Sequence, residues 1–223
     1  MTGAAGDILY RMAERLAAVI ALGGPVVALL LAMSVLAGAI VLLRVAAFAR
    51  ARVGRPGRAG AALAAAEAGE TGRARALLVG ARGSAAPVFM LAVSGATQAR
   101  LAAEVETRIR QLEKGFRALD IIAQVSPLLG LFGTVLGMIE AFRALQEAGS
   151  TVDPAALAGG IWVALTTTAA GLAVAMPVTI LLSWLEGRVE AERDFLERGV
   201  AVLGMSAPED NAPTDETASR RPA

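Results

Sequence analysis

Apolar positions along this chain fall into three long runs separated by segments in which charge and small residues alternate. Residues 16–43, 121–139 and 154–185 carry no ionisable side chain. At 1.5 Å per residue a helix over each is long enough to cross roughly 30 Å of hydrocarbon. Between the first two runs the pattern changes to short helical stretches at about 59–69 and 71–81, with a turn at Gly54, Pro56, Gly57 and Gly60. Gly83 and Ser84 then interrupt the helices, and Pro87 suits the first turn of the next one. Val105, Ile109, Leu112, Phe116 and Leu119 recur at heptad spacing. That seam predicts a long helix running into the second apolar run without a break before Pro127. Pro25, behind Gly23 and Gly24, predicts a kink in the first run.

These patterns predict an all-α, polytopic membrane protein with three transmembrane helices, whose long helices extend into a cytoplasmic helical bundle. The expected order is a periplasmic lead-in (1–15), transmembrane helix 1 (16–43), a cytoplasmic helical domain (44–117), transmembrane helix 2 (118–146), a periplasmic loop (147–153) and transmembrane helix 3 (154–185). A cytoplasmic helix (186–205) and a disordered, polar and proline-containing tail (206–223) complete it. The lead-in reads as amphipathic, with Tyr10 near the interface. The charged positions Glu186, Arg188, Glu190, Glu192 and Arg193 mark the last helix as it leaves the apolar run.

Composition agrees: the chain is 56 % hydrophobic and 18 % charged. A chain of 223 residues has too little other material to wrap three such helices inside a soluble core. The net charge of +1 is uninformative, but its placement is not. Segment 44–117 holds thirteen Lys and Arg against five acidic residues, whereas 140–153 has Arg143 as its one basic residue. The positive-inside rule then places the N-terminus and the 147–153 loop outside and the C-terminus in the cytoplasm. The basic segment lacks the interleaved aromatics of a nucleic-acid surface, so no nucleic-acid partner is expected. Without cysteine or histidine there is no disulfide, no thiolate chemistry and no imidazole proton shuttle. No nucleotide loop, nucleophile–base pair or metal cluster is visible, so neither an enzyme nor a cofactor is expected.

Spans two and three must form an antiparallel hairpin, which sets residues whose numbers sum to about 302 at equal depth. Thr134 then lies level with Thr168, with Thr166 and Thr167 close by. These hydroxyls suit a polar path, and equally suit bonds to their own helix carbonyls. Gly133 and Gly137 make a GxxxG pair, and Gly160, Ala164, Thr167, Gly171 and Ala175 a small-residue stripe, both fitted to close helix packing. Trp162 and Trp184 stand about 33 Å apart along a helix and mark the two interfaces, which puts the threonines in the outer half of the bilayer. No Asp, Glu, Lys or Arg lies well inside a span, and Asp120, Glu140 and Glu186 sit at the ends, so a proton crossing here would need a carboxylate from another chain.

The segments Ser126–Ile139 (SPLLGLFGTVLGMI) and Gly160–Pro177 (GIWVALTTTAAGLAVAMP) resemble the MotA/TolQ/ExbB proton-channel family. The three-span plan is similar to its ExbB and TolQ members. The resemblance implies a homopentameric ring in the bacterial inner membrane. It also implies a single-span, ExbD- or TolR-like partner supplying the membrane aspartate, and a TonB- or TolA-like periplasmic effector driven by the proton motive force. It assigns Thr134, Thr168 and Thr167 to the ion path and counts lipids among the partners. One departure stands out. Val163 occupies the position where ExbB- and TolQ-like chains carry glutamate in a GIxEAL pattern, and Thr166 stands where an aliphatic residue is usual. The competing expectation is a non-conducting membrane scaffold for single-span partners. A solute transporter is disfavoured by the lack of inverted repeats and of a polar binding cluster.

Overall fold

The computed structural model describes residues 3–148 and 154–205. The expected loop around Thr151 and the tail 206–223 lie outside the described residues, as does the side chain of Tyr10. The described chain is entirely helical in its regular structure: α1 (Gly3–Ala51), α2 (Gly57–Glu67), α3 (Thr71–Leu78), α4 (Ala85–Val93), α5 (Gln98–Leu112), α6 (Phe116–Ala148) and α7 (Pro154–Met205). Three stretches are long and apolar enough to cross a membrane: Gly24–Ala51, Phe116–Glu147 and Leu157–Met205. The protein is an all-α membrane protein with three such helices.

The chain divides into two compact units, one from 1–45 and 114–186 and the other from 46–113 and 187–223. In the first unit, α1 kinks at Gly24, whose φ of 61° and ψ of −158° no helix contains. Pro25 follows and has no N–H to continue the ladder. Beyond the kink Val27, Leu30, Ala37 and Val41 form one buried face. Leu36, Leu42, Phe132, Leu165 and Ile180 stay exposed, as suits helices whose surroundings are hydrocarbon.

The heptad seam behaves differently from expectation. All five of its residues are buried, yet the helix breaks between α5 and α6. Glu113 closes α5 through its N–H to Ile109 O (3.0 Å), and Gly115 takes φ +87°, a left-handed conformation that a side chain would resist. A β-carbon there would also press on Ile40 Cγ2 at 3.1 Å. The side-chain period continues across the break because the turn is short enough to keep Phe116 and Leu119 inward.

In the second unit, α2 to α5 and the end of α7 enclose Ala62, Leu78, Val88, Phe89, Leu101, Ile109 and Leu196. Phe89 and Phe195 pack with centroids 5.3 Å apart, tilted by 54°. Three helices end in the same two-bond cap, in which the N–H groups past the end return to the last carbonyls. In α2 Gly69 (φ +81°) occupies the left-handed position, with Gly69 N–H on Ala66 O and Glu70 N–H on Ala65 O. In α4 Gly95 (φ +78°) does the same, with bonds to Ala92 and Leu91 carbonyls. At the end of α1 the cap is identical in its bonds, Arg52 N–H to Ala49 O and Val53 N–H to Phe48 O, and Val53 and Phe48 are both buried. Here the left-handed residue is Arg52 (φ +54°), which bears a cost of about 1–2 kcal/mol that glycine avoids.

Candidate functional site

The α6–α7 hairpin is built on residues with little or no side chain. A β-carbon on Gly137 would meet Ala164 Cβ at 3.2 Å, one on Gly160 would meet Ala141 Cβ at 2.5 Å, and one on Gly171 would meet Gly130 Cα at 3.1 Å. The numbers of each of these facing pairs sum to 301, one below the antiparallel register expected from the loop position. Gly133 faces the Thr167 side chain itself. The backbones therefore approach closely enough that dispersion and hydroxyl–carbonyl bonds hold the pair, as is usual where no hydrophobic effect acts between helices.

Polar groups concentrate at this contact. Thr167 is 2 % exposed, and its hydroxyl lies 2.7 Å from Ala164 O and 3.3 Å from Gly130 O across the interface. Thr168, half-buried, donates to the same Gly130 carbonyl at 3.2 Å. Thr134, also half-buried, donates to Leu131 O in its own helix at 2.6 Å, and Thr166 to Trp162 O at 2.8 Å. Ser126 is fully buried and donates to Ile122 O. Thus Thr167 and Thr168 converge on Gly130, while Thr134 and Thr166 serve their own helices. Each hydroxyl spends its single proton on a carbonyl and keeps oxygen lone pairs as acceptors.

Val163 is half-buried, one residue before Ala164, and lacks any group that could bind or release a proton. Trp162 is 66 % and Trp184 50 % exposed. No cluster of three potential metal ligands occurs among the described residues. Three participants escaped the sequence reading: Gly130 as the shared acceptor, and Ser126 and Ala141 as small residues of the contact. Ser126, Gly130, Gly133, Gly137 and Ala141 follow one another at spacings of four or three, so extending the GxxxG pair in both directions along its helix would have found them.

A sequence profile of the MotA/TolQ/ExbB proton channel family matches residues 74–198, more than half of the chain. The chain belongs to the MotA/TolQ/ExbB family. The match takes in all of α6, most of α7 and about half of the second unit. Among individual proteins, the chain is 44 % identical over 102 residues to a biopolymer transport protein ExbB homolog of Methanothermobacter thermautotrophicus, covering 43 % of this chain and 36 % of that one. It is 49 % identical over 67 residues to biopolymer transport protein exbB1 of Vibrio cholerae, covering 30 % and 29 %. It is 39 % identical over 103 residues to the Tol-Pal system protein TolQ of Haemophilus influenzae, covering 44 % and 45 %. The chain thus spans between 29 % and 45 % of the length of these MotA/TolQ/ExbB relatives. Its family is one of channels rather than enzymes.

Proposed function

We propose that this chain is the multi-span subunit of an ion-driven transducer in a bacterial inner membrane, with its N-terminus periplasmic and its C-terminus cytoplasmic. Five copies form a ring around single-span, ExbD- or TolR-like partners. A membrane carboxylate of the partner takes up and releases the proton, and the resulting movement is passed to a TonB- or TolA-like periplasmic protein.

One observation carries the reading: within a proton-channel family, the hairpin presents hydroxyls whose protons are already committed, and no titratable group in its central stretches 121–139 and 154–185. Oxygens with free lone pairs accept from a protonated acid or from water and lower the cost of holding that acid away from bulk solvent. They cannot carry the charge themselves, which assigns that task to the partner. On this proposal Thr134 and Thr168 line the path, Thr167 stands behind them in the helix contact, and Gly133, Gly137, Gly160 and Gly171 set how closely the helices bearing them approach.

The test is proton flux into liposomes containing the chain with its co-expressed single-span neighbour. Thr134→Val and Thr168→Val each reduce flux at least ten-fold, and Thr134→Ser retains most of it. Flux indifferent to both valine substitutions would remove the threonines from the path.

Val163 favours a second reading, a ring that holds partner helices without conducting. Under the first reading Val163→Glu raises or alters flux. Under the second, the unaltered chain assembles with its partner and passes no protons.

A further inference from the structure

In the second unit, the end of α1 and the turn between α3 and α4 enclose a cleft of 770 Å³ whose lining includes Arg52, Arg55, Arg58 and Arg82, and no carboxylate. The fold brings these cations together deliberately. Ser84 N–H donates to Ala51 O at 3.0 Å, closing the α3–α4 turn against the last carbonyls of α1. Gly83 (φ +120°) fits against Ala51 O and Arg52 Cβ, where a β-carbon would come within 3.4 and 3.7 Å. Arg82 is thereby fixed beside Arg52. Among the described residues none of the four arginines forms an ion pair; Arg58 donates instead to Leu77 O at 3.1 Å. The Glu192 carboxylate accepts from Ser84 Oγ and Gly54 N–H; it lies outside the cleft but lines an adjoining pocket that Arg52, Arg55 and Arg82 also border.

Arg52 strengthens the case. It sits in the left-handed position that Gly69 and Gly95 fill in the two matching caps. The bonds of that cap need no side chain there, and the Arg52 side chain is exposed. Strain retained for an exposed cation is the kind of outlier from which a function is inferred.

We propose that this cleft binds a phosphate-bearing anion. Guanidinium groups present planar, paired donors that match phosphate oxygens, and the volume lies in the range of small-molecule sites, well beyond one bare phosphate. Ala49 lines the cleft and belongs to the apolar stretch Gly24–Ala51, so the cleft opens where that stretch reaches headgroup depth. The ligand is therefore the headgroup of an anionic phospholipid, and a soluble polyphosphate would use the same chemistry. The proposal does not depend on ion conduction.

The experiment uses the full chain in detergent, with bound lipid counted by native mass spectrometry after addition of cardiolipin or phosphatidylcholine, and pyrophosphate binding followed by calorimetry. Cardiolipin is retained at least ten-fold over phosphatidylcholine. The Arg55→Gln/Arg82→Gln double variant loses that excess, while Arg73→Gln/Arg110→Gln, which removes exposed arginines paired elsewhere, keeps it. Arg52→Gly raises the melting temperature and lowers cardiolipin retention, opposite signs that a purely structural arginine would not give. Pyrophosphate binding lost in the double variant, without lipid selectivity, supports the same cleft with a soluble ligand. If the cleft variant and the control variant retain both probes as the unaltered chain does, or lose them equally, the proposal fails.

Discussion

A β-carbon placed on Gly133 would lie 2.6 Å from Thr167 Oγ1 and 2.7 Å from Thr167 Cβ. The backbone of α6 and a side chain of α7 thus touch with no room between them, and Thr167 can swing away only by giving up its bonds to Ala164 and Gly130. Gly133→Ala should destabilise the hairpin by about 1–3 kcal/mol, the usual cost of overpacking. Gly38→Ala, where nothing lies within 4 Å, should be neutral or stabilise by up to about 1 kcal/mol through helix propensity. Loss of helicity on titration of the micelle with sodium dodecyl sulfate measures both, and equal midpoints would show that the contact relaxes freely.

Thr168→Val removes one cross-helix bond to Gly130, a type of bond worth about 0.6 kcal/mol on average in membrane bundles. Its denaturation midpoint should therefore barely move, while proton flux drops at least ten-fold. A parallel loss of both would make Thr168 a packing residue and nothing more.

Glu192 is 4 % exposed and gathers Ser84 Oγ and Gly54 N–H onto α7. Glu192→Ala leaves a buried hydroxyl and a part-buried N–H without their acceptor, at a cost of about 2–4 kcal/mol. The 52–57 turn should open, and trypsin should cut after Arg52 at least ten-fold faster. Arg193→Ala, which breaks the 3.3 Å pair with half-exposed Glu106, should cost no more than about 1 kcal/mol.

The ring of Phe89 occupies the space that a β-carbon on Gly199 would need. Gly199→Ala should displace Phe89 and disturb its packing on Phe195, lowering stability by about 1–3 kcal/mol despite alanine's better helix propensity. A gain in thermal stability would mean that Phe89 has another place to go.

The features readable in the sequence were those written in side-chain type. Three charge-free runs fixed the three apolar helices, and the small residues at 133, 137, 160 and 171 lie where α6 and α7 meet. What escaped was written in the backbone. Gly130 acts through its carbonyl, and the break at Gly115 depends on one left-handed residue that leaves the apolar period undisturbed. Glu192 escaped for a different reason: its neighbours Glu190 and Arg193 made the segment look solvated. Yet Leu185, Val189, Glu192, Leu196 and Leu203 keep one helical face, and Glu192 fills a place in that buried seam. A charge standing in an apolar period was the signal.

Stripes of small residues make smooth surfaces. Shift α7 past α6 by one turn and Gly133 meets Gly171, Gly130 meets Ala175 and Ala141 meets Ala164, so over the middle of the contact bulk alone does little to set the alignment. The two hydroxyls converging on Gly130 are then a detent, a notch of about 1 kcal/mol, roughly twice the thermal energy. A hairpin held by so shallow a notch is a bearing rather than a weld.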